Sequence, residues 1–97
     1  MLDLNKNELV IIREILKRYI HDSHVLAFGS RCTGQARKYS DLDLAIYNNI
    51  SINDLAWANM RADFDESDLS FRVDIINWND LDEEFRQTIK STGILIL

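Results

Sequence analysis

The spacing of apolar residues along this chain switches between a helical and an extended period. That switching restricts it to a sheet with helices packed on it. Residues 6–20 carry Leu9, Ile12, Leu16 and Tyr19 at helical spacing, with Ile15 and Ile20 widening the stripe. Asn5 and Glu8 form a capping-box signature at its start. Residues 24–28 are a short apolar run before Gly29, which suits a buried strand. Residues 29–40 are polar and irregular, with room for one helical turn. Residues 41–47 alternate, with Leu42, Leu44 and Ile46 on one face and Asp41, Asp43 and Ala45 on the other. Asn48 and Asn49 read as the strand's exit. Ser51 with Asp54 is a second capping signature, and residues 52–64 fit a helix with Leu55, Ala58 and Ala62 inside. Residues 65–68 form an acidic turn. A third strand covers 71–76, apolar except at Arg72 and Asp74. Residues 80–91 fit a last helix with Leu81, Phe85 and Ile89 in a stripe. Gly93 stops it, and residues 94–97 are apolar enough to add a short strand or to pack on a partner.

The order is α-β-turn-β-α-β-α, and the predicted fold class is α/β (α+β), a small mixed sheet of three to four strands with helices packed on it. The 97 residues fit a single domain spanning 1–97. A chain of this size buries roughly 60–65% of its unfolded surface, enough for one modest core, and small domains often gain stability by association. Oligomeric state is otherwise open. The formal charge of −5 argues against a general duplex-DNA binder, which needs clustered Lys and Arg. A lone Cys32 makes no internal disulfide, and one Cys with two His cannot build a structural zinc site. No apolar run approaches the roughly 20 residues of a membrane span, and no signal peptide is visible. The expectation is a cytoplasmic protein.

The chemistry concentrates in three carboxylates. Asp41 and Asp43 leave one face of a strand, and Asp74 sits inside an apolar strand, where an ionised group is costly unless compensated. If those strands are neighbours, the three acids converge, repel and raise one another's pKa. A divalent cation relieves such repulsion, and oxygen donors suit Mg²⁺ or Mn²⁺, which also take substrate phosphates. Taken singly, Asp41 and Asp43 read as solvent-facing alternation, and Asp74 as an edge position or a partner for Arg72, Arg31 or Arg37. Those plain readings weaken beside the loop that begins Gly29-Ser30-Arg31. A glycine at a strand exit lets backbone N–H groups approach a phosphate, Ser30 offers a hydroxyl, and Arg31 a planar fork for phosphate oxygens. Other features read as structure. Trp57 and Trp78 suit core anchors, and Asp63, Asp65, Glu66 and Asp68 suit a solvated face. His21 with His24 makes a poor metal pair, and Cys32 has no histidine base beside it. Lys38 and Tyr39 have no assigned role.

Gly29-Ser30, ten residues, then Asp41-Leu42-Asp43, followed by Asp74 in Val73-Asp74-Ile75-Ile76, resembles the DNA polymerase β-type nucleotidyltransferase superfamily. Within it the segment from Gly29 through Leu44 is similar to the minimal nucleotidyltransferases, small proteins often paired with a HEPN-domain partner as toxin–antitoxin modules. The resemblance covers about residues 5–97. It implies a polymerase β palm-like fold. It also implies that Asp41 and Asp43 bind two divalent metals and that Asp74 binds the catalytic one. Gly29 and Ser30, with Arg31 beside them, would hold the phosphates of a nucleoside triphosphate.

The implied activity is a metal-dependent transfer of AMP from ATP to a hydroxyl. That hydroxyl would be a tyrosine of a HEPN-type toxin, silenced by the modification. Two alternatives stand beside this: an antitoxin acting by contact alone, and a nucleotide-binding subunit of a two-protein transferase without activity of its own.

Overall fold

A computed structural model describes residues 2–48 and 51–97. The chain runs α1 (Lys6–Tyr19), β1 (Ser23–Phe28), α2 (Ser30–Thr33), β2 (Leu42–Asn48) and α3 (Asp54–Asp65). It continues with β3 (Val73–Asn77), a 3₁₀ turn at Trp78–Asp80, α4 (Glu83–Thr92) and β4 (Ile94–Leu95). The expected strand exit at Asn49 lies outside the described residues. The four strands form one mixed sheet in the order β3-β2-β1-β4. β2 runs antiparallel to β1, β4 antiparallel to β1, and β3 parallel to β2. The parallel pair needs a crossover, and α3 supplies it.

The capping box forms as expected. The Asn5 side chain accepts from the Glu8 amide at 2.8 Å, and Glu8 Oε1 accepts from the Asn5 amide at 2.9 Å. Lys17 and Arg18 occupy the last turn of α1, where they complement the helix dipole. One sheet face carries Val25, Ala27, Leu42, Leu44, Ile46, Val73 and Ile75. It packs on Ile12, Ile15 and Leu16 of α1 and on Trp57, Met60 and Phe64 of α3. The opposite face carries a smaller cluster, Phe28, Ala45, Trp78 and Ile89, with Leu26, Ile76 and Leu81 beside it. Strand alternation therefore puts Asp43 and Asp74 on this second, less covered face.

Several expectations need correcting. α3 turns Leu55, Ala58 and Ala62 outward, and Leu55 is 70% exposed. Trp57, Met60 and Phe64 take the core instead, since larger side chains remove more apolar area from water. Its cap is Asn53, accepting from the Ala56 amide at 2.8 Å, not Ser51. The last helix starts at Glu83 behind an Asp82 cap, because residues 78–80 wind into the 3₁₀ turn and bury Trp78. Phe85 lies outside the stripe and is exposed, with an edge-on contact to Phe28. The C-terminal tail packs on its own chain. Ile94 and Leu95 pair with Ala27 and Leu26, and Ile96 is buried. The Val25 amide donates to Leu97, and Arg13 Nε donates to the Ile96 carbonyl at 2.9 Å.

Candidate active site

Parallel pairing of β2 with β3 sets Asp43 directly beside Asp74. Antiparallel pairing of β1 with β2 sets Asp43 beside Phe28. The chain then leaves β1 at Gly29, with φ 87° and ψ −160°, a conformation open essentially to glycine alone. A Cβ there would lie 2.5 Å from Asp43 Oδ2. The glycine is thus required twice, by its backbone and by the carboxylate pressed against it. Beyond it α2 is a single tight turn. The Cys32 amide donates to the Gly29 carbonyl at 3.0 Å and the Gln35 amide to the Ser30 carbonyl at 3.2 Å. Gly34 closes the turn in the left-handed region at φ 78°.

Asp41 falls just before β2 and is exposed; the strand expected over 41–47 runs Leu42–Asn48 instead and leaves it one residue outside. Asp43 is half-buried, and its carboxyl is pushed up from the ordinary range. Burial contributes most, followed by the charges of Asp74 and then Asp41. Asp74 is held by Arg72, whose Nε stands 3.1 Å from Oδ1. The two aspartate strands are neighbours, as the mutual charge effect requires. Yet among the described residues no three Asp, Glu, His or Cys side chains stand close enough to hold a metal ion. The carboxylates share a face without converging on a point. Beside Asp41 lies an open cleft of about 450 Å³, lined also by Tyr39, Leu69, Phe71 and Arg72, among others.

Arg31 does not occupy the role expected of it. The residue is only 5% exposed. Nε donates to the Ser40 carbonyl at 2.9 Å, Nη1 to Asp3 at 3.0 Å and Nη2 to Lys38 at 3.2 Å. It also stacks 3.9 Å over the Phe71 ring. A buried cation must be satisfied, and this one is satisfied by carbonyls and an aromatic face rather than by a phosphate. It ties the N-terminal segment and the returning limb of the glycine loop together. The sequence offered no signal for this, because an arginine after Gly-Ser reads equally well as a phosphate fork.

The remaining candidates settle into structure. Trp57 and Trp78 are core anchors. Cys32 is buried, and burial pushes its thiol up, away from reactivity. His21 and His24 are exposed and belong to no metal-holding group among the described residues. In the acidic stretch Asp63 is not merely solvated. It accepts from Tyr19 Oη at 2.5 Å and from Arg18 Nη1 at 3.1 Å, joining α1 to α3. That hydrogen bond lowers the Asp63 pKa and raises that of Tyr19. The arginine that does reach the aspartates is Arg72. Its position two residues before Asp74, on the same strand face, was the available signal.

The family model described as "Polymerase beta, Nucleotidyltransferase" matches residues 10–97. The chain belongs to that family. It is 43% identical over 95 residues to a probable protein adenylyltransferase MntA of Haemophilus influenzae, covering 98% of this chain and 83% of the relative. Its fold is also that of two crystal structures. One is a toxin–antitoxin with AMP-PNP, at TM-score 0.76 and 22% identity over 97% of this chain and 73% of the other. The other is a mutant of the toxin–antitoxin MntA-HpeT, at TM-score 0.74 and 19% identity with the same coverage. None of this chain's helices, among the described residues, is long and apolar enough to cross a membrane.

Proposed function

We propose that this chain transfers AMP from ATP to a tyrosine hydroxyl of a HEPN-type toxin and thereby acts as its antitoxin. The observation that carries the reading is the registered Asp43–Asp74 pair with Gly29 against Asp43. Family membership supports the reaction class. The relative named a protein adenylyltransferase supports a protein acceptor, and the toxin–antitoxin neighbours support a toxin as that protein.

The donor chemistry suits divalent cations, hard oxygen ligands on neighbouring strands with Asp43 raised by burial and then by Asp74 and Asp41, and the three carboxylates would have to draw together to share an ion. Asp41, Asp43 and Asp74 would hold Mg²⁺ or Mn²⁺, which when bound would supply positive charge to the triphosphate and the leaving group. The chain's own residues do the rest. Gly29, by its lack of a side chain, and Ser30, by its hydroxyl, receive the β- and γ-phosphates. Asp74, in the strand beside Asp43, takes the proton of the acceptor hydroxyl. The acceptor oxygen bonds to the α-phosphorus as the bond to pyrophosphate breaks, the two oxygens in line. Such a reaction asks mainly for positioning and charge neutralisation. Arg31 has no part in it and braces the loop.

The experiment is label transfer from ATP labelled at the α-phosphate to the protein encoded by the adjacent gene, with Mg²⁺, beside an Asp41→Asn/Asp43→Asn control. Label on the partner that is absent from the control is the expected result. Transfer surviving both substitutions refutes the assignment. Tight binding of the partner without label favours inhibition by contact.

A further inference from the structure

We propose that Arg72 is a positioning residue for the transfer: its ion pair with Asp74 restrains that carboxylate and so sets how it is presented to the reacting groups. The proposal rests on the reading of Asp74 as the carboxylate nearest the acceptor. Arg72 and Asp74 are two apart and leave the same side of the chain. The contact is an ion pair from Nε to Oδ1 at 3.1 Å. The base of Arg72 is fixed as well. Its carbonyl accepts from the Leu42 amide at 2.9 Å, which pins it alongside Asp41. Arg72 and Asp41 line the same open cleft. The cation reaches the site through its contact with Asp74.

Stability does not explain the pair. Its side chains are 71% and 38% exposed, and exposed pairs of this kind contribute little to folding. Position does explain it. Asp43 and Asp74 face each other in register, and two carboxylates so placed repel. A cation on Asp74 opposes the swing that repulsion would drive.

The test compares Arg72→Ala, Arg72→Lys and Asp74→Asn in the whole chain with its partner. Two things are measured: the kinetics of label transfer, and Mn²⁺ affinity by water-proton relaxation with a non-hydrolysable ATP analogue. Partners that orient a metal-binding group typically affect affinity or activity about 10–100-fold. In Arg72→Ala we expect kcat to fall by about that factor and Mn²⁺ to bind about 10-fold more weakly. KM for ATP should stay within about threefold, because Gly29 and Ser30 hold the triphosphate. The melting temperature should move by only about 5 °C or less, and Arg72→Lys should recover part of the loss. If Arg72→Ala matches wild type in kcat and Mn²⁺ affinity while Asp74→Asn is inactive, the proposal alone is overturned. If Asp74→Asn transfers label normally, the assignment of Asp74 has failed and the proposal falls with it.

Discussion

Replacing Gly29 by alanine tests the packing on which the site depends. The backbone there, at φ 87° and ψ −160°, lies in a region where a non-glycine residue costs about 1–3 kcal/mol. The new methyl would also meet Asp43 Oδ2 at 2.5 Å. That oxygen ends a side chain that can rotate, so the clash is relieved cheaply, but only by moving Asp43. A chain of 97 residues has roughly 5–15 kcal/mol of stability, so the variant still folds. At about 4–8 °C per kcal/mol, a 2 kcal/mol loss lowers the melting temperature by about 8–16 °C. Gly34→Ala is the matched control. It too has positive φ, at 78°, but nothing lies within 4 Å of its added Cβ. It should lose about 1–2 kcal/mol from strain alone. Both variants are then assayed for label transfer well below their melting points. Gly34→Ala should retain transfer within a few-fold, whereas Gly29→Ala should lose about 100-fold, as misplacements near 1 Å can. Equal activity in the two would refute the claim that the close approach of Gly29 positions Asp43.

Two further outcomes follow from the charges. Asp43 has its pKa raised in the fold, so the ionised carboxylate opposes folding; this penalty is absent below the ordinary carboxylate value near 3.8 and grows as pH rises through the raised one. Asp43→Asn should therefore melt higher than wild type at pH 7.5 in chelator, with the gap closing towards pH 4, and Mn²⁺ should stabilise wild type but not the variant. A gap independent of pH would refute this. Arg31→Met leaves the carbonyls of Asp3, Lys38 and Ser40 without their donor and should cost about 2–5 kcal/mol, read as a drop in melting temperature with KM for ATP unchanged where the chain is folded. A raised KM with an unchanged melting temperature would return Arg31 to the phosphates.

Element order was legible because residues 41–47 and α1 carry unambiguous periods. α3 was not, because Leu55, Ala58 and Ala62 offer a helical stripe as regular as that of Trp57, Met60 and Phe64. Periodicity does not choose between two stripes; the area each removes from water does. The C-terminal tail was undecided for a related reason. Apolar residues at a chain end are satisfied by any apolar surface, and only the free edge of β1 determines that it is their own.

At the site, alternation alone places Asp41 with Asp43. Placing Asp74 beside them needs the register of β2 on β3, which is set by tertiary pairing. The two arginines show the limit of local reading most clearly. Arg31 follows the glycine loop directly yet points into carbonyls, while Arg72 precedes an aspartate that an exposed ion pair would explain trivially. What separates their roles is burial and depth. An arginine 5% exposed must satisfy its donors within the protein, and doing so removes it from chemistry. One left mostly in solvent adds little stability, so its position against Asp74 is better explained by what it holds in place.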